Sequence, residues 1–210
     1  MRRYEKRVWA IAAGLSALAG FVDAIGFIEL GGFFVSFMSG NSTRLGVGII
    51  EAGAAAALAS GLVASFVGGV IIGTTVARRA GPARGTTVLL LVAVLLAAAA
   101  ILGLAGAGAV APLLMAAAMG AENAVFEREG EVSIGLTYMT GTLVRLGQGV
   151  ASTLLGGPPF GWLPYLLLWG GLVAGAVAGA ALHPAFGLSA LWIAAAAAAG
   201  FALLARRLGH

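Results

Sequence analysis

The sequence predicts an all-α membrane protein of six transmembrane helices plus two broken or re-entrant polar segments, arranged as an inverted internal repeat of about 100 residues. Three observations lead there. The 210 residues are 60% hydrophobic and only 10% charged, with a mean hydropathy of +1.03. A soluble domain carries about a quarter charged residues, so this chain lacks the polar surface to cover a core in water. Its apolar stretches are separated by only a few residues, so at about 20 residues per crossing nothing of domain size remains outside the bilayer. Residues 1–210 therefore read as a single transmembrane domain. The third observation is that the two halves of the chain match each other.

The elements follow from apolar runs and breakers. The stretches lie at roughly 8–28, 33–50, 54–77, 86–105, 109–126, 132–155, 162–182 and 186–205. Glu29 to Gly32, Glu51, Arg78 to Gly85, the small-residue bridge Ala105 to Ala109, Glu127 to Glu131, Gly156 to Gly161 and His183-Pro184 separate them. Each places charge, glycine or proline where a membrane helix has to stop. The basic N-terminus followed by Ala17-Leu18-Ala19 also fits a cleaved secretory signal. The apolar run continues past that tripeptide into repeated sequence, so the first stretch reads as a retained span. Trp9, Trp162, Tyr165 and Trp169 lie near segment starts, where interfacial anchors belong.

Laid over itself, the chain aligns residues 36–48 with 137–149. Met38, Gly40, Arg44, Leu45, Gly46 and Gly48 fall on Met139, Gly141, Arg145, Leu146, Gly147 and Gly149, with Ser/Thr and Phe/Tyr exchanges around them. Upstream, Gly20, Asp23 and Ala24 fall on Gly120, Asn123 and Ala124. Downstream, Gly69, Gly73, Pro82 and Ala83 fall on Gly171, Gly175, Pro184 and Ala185. Repeat one then covers 8–105 and repeat two 109–205. Gly61, Ser65, Gly69 and Gly73, and in the other half Gly171, Gly175 and Gly179, form small-residue ladders at four-residue spacing. Such ladders let helix backbones approach closely in lipid, within one chain or against a second copy in a homodimer.

Charge decides the topology. If all the stretches cross from a cytoplasmic N-terminus, Arg78, Arg79 and Arg84 lie outside, against the positive-inside tendency. If the second and sixth dip in and return, six crossings remain. The clusters Arg2 to Arg7, Arg78 to Arg84 and Arg206-Arg207 then all fall inside, both termini are cytoplasmic, and the second half is inserted upside down. The polar run from Ser39 to Arg44 also suits burial in protein or against water better than lipid. The alternative is a pair of broken helices that do cross, interrupted at Gly40 and Gly141.

Gly20 to Phe27, containing Gly-x-x-Asp-Ala, together with Phe33 to Met38 and Gly40-Asn41, resembles the YoaK-type family of small bacterial integral membrane proteins. Gly120 to Ala124 is the partner of the first motif in the second half, and the resemblance covers nearly the whole chain. Where members of that family often have Met-Thr-Gly-Asn, this chain has Met38-Ser39-Gly40-Asn41, one hydroxyl for another. The resemblance implies location in the bacterial cytoplasmic membrane and a multi-pass architecture; it implies no activity.

Function must then come from the polar residues inside apolar segments. Asp23, Arg44, Glu122 and Arg145 are ionisable, and a mid-membrane charge costs several kcal/mol unless it pairs or meets water. One reading makes them structural ion pairs within each half. The functional reading makes the protein a transporter or channel for a small polar solute, anionic solutes included. In it Arg44 and Arg145 donate to the solute, Asp23 and Glu122 act as counter-charges or proton acceptors, and Ser39, Gly40, Asn41, Asn123, Thr140 and Gly141 complete the site. Phe37 and Tyr138 flank it as a gate or as ordinary packing. The acid is displaced by one position between the halves, since Asp23 aligns with Asn123 and Glu122 precedes it.

Other classes fare worse. Zero cysteines exclude thiolate chemistry and disulfides. His183 and His210 are the only imidazoles, so no metal and no cofactor is expected, and no phosphate loop or dinucleotide fingerprint occurs. The net charge of +4 comes from basic residues at segment ends and indicates anchoring, with no nucleic acid as partner. Ser39 with His183 as an intramembrane hydrolase lacks the glycine of a nucleophile turn at Phe37, so no enzyme is expected. A non-transporting scaffold or assembly protein is the main alternative. The expected partners are the lipid bilayer and the solute.

Overall fold

The computed structural model describes residues 6–51, 53–128, 131–132 and 135–207; Arg2, Arg3, His210 and parts of the Glu127 to Glu131 separator lie outside these. Among the described residues the chain forms α1 (Lys6–Glu29), α2 (Met38–Ile50), α3 (Ala54–Ala80), α4 (Arg84–Leu104), α5 (Ala111–Glu122), α6 (Met139–Leu154), α7 (Leu163–Phe186) and α8 (Leu191–Arg207). Short 3₁₀ turns occupy Gly81–Ala83, Asn123–Phe126 and Gly187–Ala190, and a two-residue ladder pairs Glu127–Arg128 with Glu131–Val132. The helical segments Val8–Glu29, Ala54–Leu104 and Leu163–Arg207 are long and apolar enough to cross a membrane, the latter two as helical hairpins, and Ala111–Phe126 is a shorter apolar helix.

Both hairpins reverse at a glycine in the left-handed region, Gly81 with φ 55° and Gly187 with φ 50°, a conformation that costs glycine little. The expected stop at His183-Pro184 is corrected here. Pro184 lies inside α7, which continues to Phe186 before Gly187 turns the chain. Lacking an N–H, Pro184 cannot donate to the Ala180 carbonyl one turn back, so the last turn of α7 has one bond fewer.

Contacts fix the directions of the helices. Alongside α1, Trp9 meets Tyr165, Ala13 faces Gly171, Ala17 faces Gly175 and Glu29 meets His183, so α1 and α7 run parallel over their whole length. Likewise Ala117 faces Gly69 and Ala121 faces Gly73, which makes α3 and α5 parallel. Helices α4 and α8 are antiparallel: the Thr86 hydroxyl donates to the Ala202 carbonyl near one end, and Gly103 touches Leu188 near the other. Val88, early in α4, packs with Ala77 at the end of α3 and with Ala124 just past α5. Helices α1, α4 and α7 therefore run one way and α3, α5 and α8 the other, and the starts of α1 and α4 share one end of the bundle with the end of α8.

The glycine ladders seat these pairs. A methyl group built on Gly175 falls onto the Ala17 carbonyl oxygen, one on Gly20 onto that of Leu172, one on Gly69 onto that of Ala117 and one on Gly120 onto that of Phe66. Each first helix of one half thus packs against the third element of the other. The ladders expected to serve either internal packing or a homodimer are filled from within the chain. Gly69, Gly73, Gly175 and Gly179 are buried by α5 and α1, leaving no room there for a second copy.

The two polar segments are helices shorter than expected. They begin only at Met38 and Met139, so Gly40 and Gly141 lie in the first turn and the break precedes them. Gly48 packs on Ala55 and Ala56 at the start of α3, and Gly149 on Trp162 just before α7, so each polar helix ends against the beginning of the helix that follows it.

Candidate functional site

Two side chains hold the segment that leads into α2. Asp23 Oδ1 accepts the backbone N–H of Val35 at 2.8 Å and of Ser36 at 2.7 Å. This draws the chain back from the end of α1 by about two turns of helix, or roughly 9 Å at 1.5 Å per residue. Asn41 is fully buried and closes a two-bond ring with Phe34, accepting its N–H at 3.0 Å and donating to its carbonyl at 2.6 Å. The second half uses a related device: Thr137 donates to Asn123 Oδ1 at 3.2 Å, while Asn123 Nδ2 donates to the Met119 carbonyl at 2.9 Å. The aligned pairs Asp23/Ser36 and Asn123/Thr137 thus do the same work, an acceptor on the preceding helix anchoring the approach to the polar helix.

That anchoring brings the starts of α2 and α6 to one cavity of about 270 Å³. Ser36, Phe37, Met38 and Ser39 line one wall, and Thr137, Tyr138, Met139, Thr140 and Gly141 the other. Phe66, roughly midway along α3, completes it. Neither helix has a side-chain cap. The amides of Ser39, Thr140 and Gly141 have no acceptor among the described residues. The first turns of both helices therefore present N–H donors, each carrying the positive end of a helix dipole.

Of the residues singled out in the sequence, Ser39, Thr140, Gly141, Phe37 and Tyr138 line the cavity together. Gly40 lies beside it, packed on the Phe34 and Phe37 rings. Asp23, Asn41 and Asn123 point into the loops that shape it. Arg44 lies outside: its guanidinium stacks 4.8 Å above the Phe33 ring and against Gly32. The alternative reading of an acid–arginine pair within the first half is not what the structure shows, because the backbone amides at 35 and 36 take Asp23 and an aromatic face takes Arg44. Arg145 is exposed on α6, has an interaction of its own and is not among the residues that line the cavity. Glu122 is fully buried in α5, with no hydrogen-bond partner for either oxygen among the described residues. His183, weighed with Ser39 as a dyad, instead places Nε2 2.8 Å from Glu29 Oε1 at the far end of α1 and α7.

Ser36, Met38, Thr137 and Met139, outside the expected set, also line the cavity. All four stand in the aligned motif, so reading that motif whole, without favouring its charged members, finds them. Phe66 carries no signal in the sequence.

Residues 11–204 match the family described as Protein of unknown function (DUF1275). The chain belongs to that family. It is 40% identical over 202 residues to the UPF0700 transmembrane protein RA0705 of Rhizobium meliloti (strain 1021), covering 94% of this chain and 85% of that relative. No solved structure matches it. The resemblance to a family of bacterial membrane proteins without an assigned activity holds, and with the apolar helices it identifies a membrane protein.

Proposed function

We propose that this protein moves a small polar solute across the bacterial cytoplasmic membrane without chemically altering it, through the cavity where α2 and α6 begin. The observation that carries this reading is the convergence of two short polar helices, N-terminus toward N-terminus, on one cavity built from both repeats. Each ends against the start of the next helix, as a segment does that enters and returns to the same side.

The opposed directions of α4 and α8, and of α1 and α5, support an inverted repeat with six crossings. The shared end of the bundle that carries Arg84, Arg206 and Arg207 supports a cytoplasmic location for both termini. The lining offers hydroxyl and amide donors and no ionised side chain. A site of this kind favours a neutral or anionic solute and disfavours cations, as half-helix dipoles do in selective pores.

The test is shrinkage of proteoliposomes, followed by light scattering, on addition of glycerol, urea, formate or nitrate. At least one solute should enter faster than into empty vesicles, and Thr140→Trp, which fills the cavity, should return the rate to that baseline. Equal rates for all four solutes with and without protein would overturn the proposal.

A further inference from the structure

We propose that Glu122 is a proton-binding group whose protonation is coupled to solute movement, an inference that rests on the transport reading above. Among the described residues, its two oxygens are the only buried side-chain nitrogen or oxygen atoms without a hydrogen-bond partner. Other buried polar side chains are satisfied. Ser16 donates to the Leu168 carbonyl, Thr142 to the Tyr138 carbonyl, and Asn41, Asn123 and Thr137 are bonded as described. An orphaned buried polar group works against folding.

The repeat supplies an internal control. Since Asp23 aligns with Asn123, the counterpart of Glu122 is Val22, which is also fully buried. The position is therefore filled adequately by an aliphatic side chain, and packing gives no reason for an acid. The fully buried carboxyl is out of reach of solvent and of any donor among the described residues, so the site accommodates the acid with its proton on.

Glu122 is also placed to matter. The next residue, Asn123, anchors Thr137, and Thr137 is part of the cavity wall. The helices packed on α5 are α3 and α4, with a smaller contact from α1. Their ionisable residues with described side chains are Arg78 and Arg79, Arg84, and Asp23 and Glu29. Asp23 is taken by the amides of Val35 and Ser36, and Glu29 by His183. Arg78 and Arg79 follow Ala77 on α3 and Arg84 precedes Val88 on α4, and Ala77 and Val88 pack with Ala124, two residues past Glu122. The step is a proton transfer from the carboxyl O–H to a water molecule admitted when the cavity opens. The bonding pair stays on the carboxylate, and the charge so created requires the end of α5, and with it the Asn123–Thr137 anchor, to rearrange.

The experiment uses the full chain in phosphatidylcholine–phosphatidylglycerol vesicles, as wild type, Glu122→Gln and Glu122→Val. Infrared spectra of the wild type should show a carboxylic-acid carbonyl band at neutral pH that disappears reversibly at alkaline pH and is missing from both variants. Internal pyranine should report a pH change when a transported member of the four-solute panel is added, and both variants should lose it while still passing the solute. Glu122→Val should melt at or above the wild-type temperature. A wild-type spectrum without the band, a band that persists until unfolding, or solute entry without any pH change would overturn the proposal. So would lowered melting temperatures in both variants, which would make the carboxyl structural. If no solute enters wild-type vesicles, the transport reading fails and takes the coupling with it. If solute enters but the infrared or pyranine result is negative, only the coupling falls.

Discussion

Gly68 and Gly69 are neighbours on α3, yet only Gly69 faces another backbone, so alanine at the two positions should have opposite effects. A methyl on Gly69 would sit 2.7 Å from both the Cα and the carbonyl carbon of Ala117. Ordinary contact begins near 3.4 Å, so α3 and α5 would have to separate by at least about 0.7 Å, and further to clear the Ala117 carbonyl oxygen. A gap of that size forfeits about a quarter to a half of the dispersion attraction of each atom pair it opens, and overpacking of this kind costs about 1–3 kcal/mol. Around Gly68 nothing lies within 4 Å, and alanine there gains up to about 1 kcal/mol of helix propensity. The two variants should differ by roughly 2–4 kcal/mol, or on the order of 5–10 °C for a chain of this size. The assay is the temperature at which detergent-solubilised protein loses its monodisperse peak on size-exclusion chromatography. Gly175→Ala against Gly170→Ala repeats the comparison in the other half, because Gly170 is equally open and Gly175 rests on Ala17. If Gly68→Ala and Gly69→Ala melt together, α3 and α5 do not pack through this glycine and the pairing of helices across the halves is wrong.

Further expectations concern the loops and the topology. Asp23→Ala leaves the amides of Val35 and Ser36 without their acceptor and should cost about 2–4 kcal/mol by the same melting assay. Asp23→Asn retains an oxygen at that place and should cost clearly less; equal losses would show that the charge, not the acceptor, matters. Asn41→Leu removes both bonds to Phe34 and should destabilise by about 2 kcal/mol; a neutral result would mean that the ring does not form. In this cysteine-free chain, Glu51→Cys should react with a membrane-impermeant thiol reagent on intact cells and Ala83→Cys should not, whereas parallel halves with eight crossings predict the reverse.

Periodic features were legible in the sequence and long-range ones were not. The helices and the glycine ladders announce themselves because both depend on spacing along the chain. Which ladder meets which helix does not, since Ala17 and Gly175 are joined only by the tertiary fold. Asp23 and Arg44 illustrate the second limit. Both are ionisable and intramembrane, so they invite pairing, but backbone amides compete for the acid and Phe33 for the base, and amides leave no trace in residue identity. The starts of α2 and α6 were misplaced for a similar reason. They lack a serine, threonine or aspartate cap, and the residues at the cap positions are Phe37 and Tyr138. The candidate cavity was half visible, through Ser39, Thr140 and Gly141, and half hidden in methionines and hydroxyls that look ordinary one by one.

The exchange of helices between the halves bears on how the protein is made. Helix α1 leaves the ribosome early but cannot settle against α7 until Leu163–Phe186 has been synthesised, so the first half waits in the bilayer with Gly20 and its neighbouring carbonyls uncovered. Neither half is a self-sufficient unit, and a truncated product ending after α4 would be left with its closest-fitting surfaces bare. The same interlock is what two copies of one half-length chain would form if they were inserted in opposite senses, each lending its first helix to the other. Held in one chain, the two senses are fixed relative to each other, and the two positions can differ, with Glu122 at one and Val22 at the other.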